Sequence, residues 1–272
     1  MSTNPSGVVR AVLFDVSGTT LDFGSRGPVV AFVELFARHG ISVSEEEARR
    51  PMGTHKKDHI RAMLSDPAIR RRWTETHGAT PAPEDVDRLY AEFTPLLIEV
   101  LPRHADVIPG VPMVVADLRE CGMRIANTTG FESGMMTDLI RLAGDQGYVP
   151  DLWVCPDMVG GGRPAPWMAF HAARTLDVYP MSTIVKVGDT LADIDEAHSA
   201  GMWSVAVVRH GNEVGLSQEA LEQMPPEEVR ERLSTARIRL SSRGPHYLID
   251  STADLIPVIE EISERVADGE KP

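Results

Sequence analysis

Cysteine is nearly missing from this chain. Its 272 residues hold two, Cys121 and Cys155, which lack metal-ligand spacing and are expected to be reduced packing residues rather than catalysts. Positive charge is also short: 27 Lys and Arg stand against 40 Asp and Glu, a formal net charge of −13. The field of such a surface repels nucleic acid and anionic membrane, so an anionic substrate must meet locally placed cations. No apolar run approaches a membrane span, Met1 to Arg10 carries no apolar signal core, and there is no internal repeat or low-complexity tract. These absences lead us to expect a soluble, cytoplasmic protein with neither a nucleic-acid nor a membrane partner. The length allows one substantial core and a second, smaller unit.

What is present is organised around Ala11-Val12-Leu13-Phe14-Asp15-Val16-Ser17-Gly18-Thr19-Thr20, an apolar run halted by a carboxylate and a small, turn-forming pair. The pattern predicts a buried strand that delivers Asp15 to a loop. A buried carboxylate must be paired, hydrogen-bonded or metal-bound, so Asp15 is a candidate nucleophile or Mg²⁺ ligand, with a strand-end cap as the plain alternative.

The next stretch reads as all helix. Pro28 suits the first turn of a helix ending at His39-Gly40, Ser44 and Glu47 form a capping box, and Thr54 is placed to cap a helix through Leu64. Pro83 to Leu101 then carries Val86, Leu89, Phe93, Leu97 and Val100 at helical spacing. From Pro109 the pattern alternates. Strands are expected at Arg124 to Asn127, Leu152 to Val154, Thr183 to Val187, Ser204 to Val208 and Tyr247 to Asp250. Helices are expected at Val111 to Glu120, Glu132 to Ala143, Pro164 to Leu176, Leu191 to Ala200 and Thr252 to Val266. Alternation of this kind implies a parallel sheet with helices on both faces, an α/β fold. Its helical block enters just after the first strand, which divides the chain into a core of residues 1–24 and 105–272 and an inserted helical unit of residues 25–104. Ligands of open α/β sheets bind beyond the carboxyl ends of the strands, so the inserted unit is placed as a lid.

Four strand ends carry groups suited to phosphoryl transfer. Asp15 and Asp189 can hold Mg²⁺, Thr129 and N–H groups near Gly130 can bind phosphoryl oxygens, and Arg163 can neutralise developing charge. Singly, Thr129 and Asp193 also read as helix caps, Asp189 as a turn residue and Arg163 as a surface cation. Four coincidences at successive strand ends are harder to accept. In the lid, Lys56 shares a helix face with His59, Ile60 and Met63, whereas Lys57 and Arg61 turn away. An apolar setting lowers a lysine pKa from about 10.4, and only the neutral amine attacks a carbonyl to form a Schiff base. A snorkelling surface lysine is the alternative.

Asp15-x-x-Gly18-Thr19-Thr20, Thr129-Gly130, Arg163 and Gly188-Asp189-x-x-x-Asp193 together resemble the haloacid dehalogenase superfamily, over nearly the whole chain. The resemblance implies a Rossmann-like core with an α-helical cap, Asp15 as nucleophile, and Mg²⁺ held by Asp15, the Ser17 carbonyl and Asp189, with Asp193 in support. Most phosphatases of that superfamily have a second aspartate where this chain has Ser17, and serine is a poor general acid. Pro51-Met52-Gly53-x-x-Lys56-x-Asp58-His59, Gly162-Arg163-Pro164-x-Pro166-Trp167-Met168 and Lys186-Val187-Gly188-Asp189-Thr190 are similar to one branch, the phosphonoacetaldehyde hydrolases. That resemblance implies Lys56 as the Schiff-base lysine, His59 as a proton-transfer residue, Met52 as a neighbour of the imine and Gly53 as part of a specificity loop. Family members commonly show Ala where this chain has Ser17, Cys at Ser25 and Tyr at Phe131, the last two facing the reacting groups. The implied reaction is Mg²⁺-dependent cleavage of the P–C bond of phosphonoacetaldehyde or a close 2-oxoalkylphosphonate. A departing carbanion needs an electron sink, not the missing acid. Open alternatives are a phosphomonoesterase acting on a small phosphorylated metabolite, with His59 as acid, and a catalytically silent binding relative. The helix from Pro28 to His39 presents Val29, Val30, Phe32, Val33, Leu35 and Phe36, more apolar surface than one lid face needs, and predicts a homodimer through the helical unit unless that surface is buried inside it.

Overall fold

Each apolar run of the alternating region becomes a strand of one parallel sheet in the computed structural model, which describes residues 8–272. The reading of Met1 to Arg10 therefore lies mostly outside the described residues. The strands are β1 (Ala11–Phe14), β2 (Arg124–Thr128), β3 (Leu152–Val154), β4 (Ile184–Gly188), β5 (Trp203–Val207) and β6 (Tyr247–Ile249), in the order β3-β2-β1-β4-β5-β6. The chain thus builds outward from β1 in one direction and then, from β4, in the other. Asp15 follows β1 and Asp189 follows β4, at the point where the strand order reverses and an open α/β sheet forms its crevice.

β1, β4 and β5 are buried along their whole length, as the two-sided covering of a parallel sheet requires. Side chains alternate across β1. Val12 and Phe14 join one core with Leu118 of α6 (Val111–Glu120) and Ile259 of α13 (Leu255–Ala267). Ala11 and Leu13 join the other, with Met168 of α9 (Trp167–Thr175) and Ala197 of α10 (Leu191–Ala200).

Between β1 and α6 the chain is helical: α1 (Arg26–Arg38), α2 (Glu45–Arg49), α3 (Lys56–Ser65), α4 (Pro67–His77), α5 (Pro83–Val100) and a short 3₁₀ turn (Leu101–His104). The expected capping box holds, with Glu47 N–H on Ser44 Oγ and Ser44 N–H on Glu47 Oε2. Thr54 is not a cap. His55 takes that position, and the Thr54 hydroxyl instead donates to Pro51 O at 2.8 Å, closing the tight turn before α3. Asp66 caps α4, and Gly78 in the left-handed region (φ 76°) ends it. The helix expected from Pro164 begins only at Trp167, because Gly162 to Pro166 forms a turn with Ala165 N–H on Gly162 O.

The surplus apolar surface expected on α1 is mostly internal. Val29, Phe32, Leu35 and Phe36 are buried, Phe32 stacks on Phe93 of α5 at 4.2 Å, Val33 is half-buried, and Val30 is exposed. Cys155 is buried as expected, and burial pushes its thiol up to about 11. Cys121 is exposed at the end of α6, contrary to the packing role expected of it. Among the described residues no helix is long and apolar enough to cross a membrane.

Candidate active site

The register of the central strands fixes where Asp15 emerges: its N–H donates to Val187 O of β4 at 2.8 Å, and Asn127 of β2 donates through Nδ2 to Asp15 O at 3.2 Å. The chain then turns back on itself, with the N–H groups of Thr20 and Leu21 on Val16 O. Gly18 sits in the left-handed region (φ 85°), and a Cβ there would lie 2.2 Å from Asp189 Oδ2, so only glycine lets the loop approach that carboxylate. Asp189 accepts from Thr19 Oγ1 and from the backbone N–H of Asn212, both at 2.7 Å.

Oxygens of Asp15, Asp189 and Asp193 lie within 4.8 Å of one another, all buried. Burial raises the Asp189 carboxyl well above its usual 3.8, and the neighbouring Asp15 and Asp193 push it further. Burial raises Asp15 as well, against the pull of Arg163. At Asp193 burial is outweighed by Arg163 and Lys186, which hold it low. Four buried carboxylates, these three and Glu196, surround two buried cations, Arg163 and Lys186. An all-oxygen donor set with that excess of negative charge fits a hard divalent cation.

Arg163 is fully buried, and its guanidinium reaches three carboxylates: Nη2 to Asp15 Oδ1 at 2.8 Å, Nη1 to Asp193 Oδ1 at 2.9 Å and Nε to Glu196 Oε2 at 3.0 Å. Lys186 stands behind it, donating to Thr128 Oγ1 at 2.7 Å and lying 3.0 Å from Asp193 and 3.3 Å from Glu196. Thr129 Oγ1 accepts from Phe131 N–H at 3.2 Å, which leaves its own proton free to donate.

Lys56 opens α3 and is 3% exposed. Its Nζ lies 3.9 Å from Met52 Sδ and 4.8 Å from the Phe131 ring centre. Burial pulls its pKa from 10.5 down to about 8, with Asp15 pulling the other way. Lys57 turns outward to Asp87 at 2.6 Å, as the helical face requires. Asp15, Ser17, Ser25, Met52, Gly53, Lys56, Thr129, Gly130, Phe131 and Arg163 line one small pocket. His59 is not on that wall. It stacks on Phe32 at 3.9 Å behind the lysine, with Nε2–H on Ala48 O at 2.8 Å and Nδ1 unpartnered, and burial together with Lys56 keeps it neutral. The Ser25 hydroxyl donates to Ser17 Oγ at 3.3 Å, and the Ser17 hydroxyl donates to Asp22 Oδ2 at 2.5 Å, so the Ser17 side chain is committed to Asp22 rather than to Asp15, Asp189 or Asp193.

The helical block meets the sheet through residues without Cβ atoms. A Cβ on Gly53 would lie 2.2 Å from Thr190 Oγ1, and one on Gly130 2.6 Å from Thr54 O. Sequence reasoning missed Glu196 and Asn212 as members of the site, and assigned no role to Lys186 or Thr128 although both lie in the motifs it drew on. Two signals were there to read: a lysine inside the apolar strand Ile184–Gly188, and Glu196 three residues after Asp193 on one helix face.

A haloacid dehalogenase-like hydrolase family model matches residues 9–201. The chain is 44% identical over 266 residues to the phosphonoacetaldehyde hydrolase of Nitratidesulfovibrio vulgaris, covering 98% of this chain and 95% of that one. It is 42% identical over 257 residues to that of Bacillus cereus, covering 94% and 97%. The crystal structure of a phosphonoacetaldehyde hydrolase-like protein from Oleispira antarctica superposes with a TM-score of 0.96 at 41% identity, covering 100% of this chain and 99% of that one. With the Asp15 loop, the carboxylate cluster and the buried Lys56 in one crevice, the chain belongs to the haloacid dehalogenase-like hydrolases and, within them, to the phosphonoacetaldehyde hydrolase family.

Proposed function

We propose that the protein hydrolyses the P–C bond of phosphonoacetaldehyde, or a close 2-oxoalkylphosphonate, to phosphate and acetaldehyde. One observation carries the reading: Lys56, with its pKa lowered to about 8, and Asp15 line the same buried pocket from opposite sides of the seam. In this reading residues 25–104 are the cap and residues 1–24 and 105–272 the core.

The neutral Lys56 amine attacks the aldehyde and releases water, giving a protonated imine; His59, packed behind the lysine with Nδ1 unpartnered, is the proton-transfer residue of this reading. Asp15 attacks phosphorus, and as the P–C bond breaks its electron pair moves into the iminium, leaving an enamine rather than a carbanion. Thr129 and the N–H groups near Gly130 bind the phosphoryl oxygens, and Arg163 offsets their charge. Water then cleaves the aspartyl-phosphate, the enamine carbon is protonated, and a second water frees acetaldehyde from Lys56. No alkoxide departs, so nothing requires an acid at Ser17. Asp15, Asp189 and the Ser17 carbonyl would hold Mg²⁺, with Asp193 in support, and the ion would offset the charge gathered between Asp15 and the phosphoryl group.

Phosphate release from phosphonoacetaldehyde that is lost on chelation and restored by Mg²⁺ is the expected result. Borohydride added with the aldehyde should leave its adduct on Lys56 and not on Lys57. No release from any β-carbonyl phosphonate, alongside good hydrolysis of phosphate esters, would overturn the reading in favour of a phosphomonoesterase. A cytoplasmic location belongs to the same proposal, supported by two free thiols. So does a homodimer through the cap, supported by exposed Val30 beside half-buried Val33 on α1. A monomer mass by light scattering at micromolar concentration would reject that assembly.

A further inference from the structure

The reacting groups sit on two units, so something must hold the units in register, and Arg49 has the contacts to do it. It ends α2, and its side chain is 11% exposed. Nη1 donates to Gly24 O at 2.8 Å, Ser25 O at 3.1 Å and Asn212 Oδ1 at 3.3 Å, and Nη2 donates to Gly215 O at 2.9 Å. Asn212 answers through Nδ2 on Arg49 O at 3.3 Å, while its backbone N–H holds Asp189 Oδ2. The nearest carboxylate, Glu45, is 3.8 Å away and 70% exposed. A nearly buried guanidinium that spends its fork on three backbone carbonyls is placed for geometry rather than for charge neutralisation.

The surrounding backbone is cut to fit it. A Cβ on Gly215 would lie 2.7 Å from Arg49 Nε, and one on Gly24 2.2 Å from Leu216 O. Gly24 (φ 86°) and Ser25 (φ 49°) are consecutive left-handed residues of the segment leading from β1 into α1, and both carbonyls point at Arg49. One step back along α2, Ala48 O receives His59 Nε2–H behind Lys56. A single side chain thus ties the inserted helices, the connecting segment and the loop that supports Asp189.

We propose that Arg49 is a positioning residue, a clasp that holds the cap seated on the core so that Lys56 and Asp15 address one substrate. The proposal rests on the function above, in which the imine forms on the cap and phosphorus is attacked from the core. Losing the clasp should therefore separate the two steps. Imine formation needs Lys56 and the apolar walls that Met52 and Phe32 supply from the cap itself, whereas P–C cleavage needs both units seated, and misplacing reacting groups costs large factors in rate.

The test compares wild type, Arg49→Met, Asn212→Ala and the double variant by phosphate release at saturating phosphonoacetaldehyde, borohydride trapping on Lys56, and hydrogen–deuterium exchange. In Arg49→Met, release should fall about tenfold or more while trapping stays within about threefold. Exchange should quicken in the peptide spanning Met52 to His55 and stay unchanged in β1 and β4. Asn212→Ala, which keeps the backbone N–H, should lose less in wild type and nothing further in the Arg49→Met background. Wild-type release with unchanged seam exchange in Arg49→Met would overturn the clasp, as would equal losses of trapping and release. If wild type itself released no phosphate, the proposed function would fall, and the exchange measurement alone would still decide for or against the clasp.

Discussion

Lys56→Met should stabilise this protein while abolishing its activity. The ammonium of Lys56 is 3% exposed among Met52, Phe131 and Phe32, and burial lowers its pKa from 10.5 to about 8. Each pH unit of displacement is worth about 1.4 kcal/mol, so a protonated Lys56 costs the folded state roughly 3 kcal/mol near neutral pH. The sign follows from proton binding. Between about 8 and 10.5 the unfolded chain keeps a proton that the folded chain has released, so stability rises with pH through that window, and below it the cost is carried in full. Methionine has no charge to bury and nearly the same length. The variant should exceed wild type near pH 7 by up to roughly 3 kcal/mol, or about 6–12 °C in Tm for a chain of this size. Attraction of the ammonium to the Phe131 face trims the gain by about 1 kcal/mol. Urea and thermal unfolding followed by circular dichroism near pH 7 and near pH 10 would measure the gap, with phosphate release checked in parallel. A wild type as stable as the variant near pH 7, or a gap that fails to narrow toward pH 10, would refute the reasoning. The same pKa predicts imine trapping that climbs about tenfold per pH unit below 8 and levels off above it.

Asp15→Asn should cut phosphate release by about a thousandfold or more while leaving borohydride trapping on Lys56 within about threefold, a separation read by running both assays on one preparation. Gly53→Ala would place a Cβ 2.2 Å from Thr190 Oγ1 at a residue with φ 88°, so the cap loop cannot seat: kcat/KM should drop about a hundredfold with a loss of only about 1 kcal/mol in stability, and near-normal turnover would show that the seam yields. Glu196→Gln removes the charge facing Arg163 Nε at 3.0 Å and Lys186 at 3.3 Å; urea unfolding should show a loss of about 3 kcal/mol, and a change below about 0.5 kcal/mol would mean the neighbouring carboxylates suffice.

Much of the architecture was legible in the chain because local periodicity carries it. The run from Ala11 to Phe14 ends at Asp15 in the structure as in the sequence, the strand from Leu152 to Val154 has the bounds its pattern implied, and the helical stretch falls between β1 and α6. Lys56 was distinguishable from Lys57 for the same reason: residues three and four apart share a helix face, so His59, Ile60 and Met63 indicated which lysine would be buried. The departure at Ser17 was visible too.

What spacing does not encode is which distant segments touch. Nothing in the order of the chain says that β4 lies beside β1, yet that pairing brings Asp189, Asp193, Glu196 and Lys186 against Asp15 and draws Arg163 across from a turn 148 residues away. The Arg163 guanidinium satisfies three carboxylates rather than facing solvent, and the Asn212 N–H supports Asp189, only because separate loops converge at the switch in strand order. The same holds for α1, whose apolar stripe was readable but whose disposal inside the helical block was settled by Phe93 stacking on Phe32. Sequence by itself determined the kind and order of the principal elements and which periodic side chains share a face, since those follow from bond geometry over a few residues. The tertiary structure alone decided which buried charges neutralise one another, because a charge removed from water is held by whichever partner the packing of remote elements brings within a few ångströms.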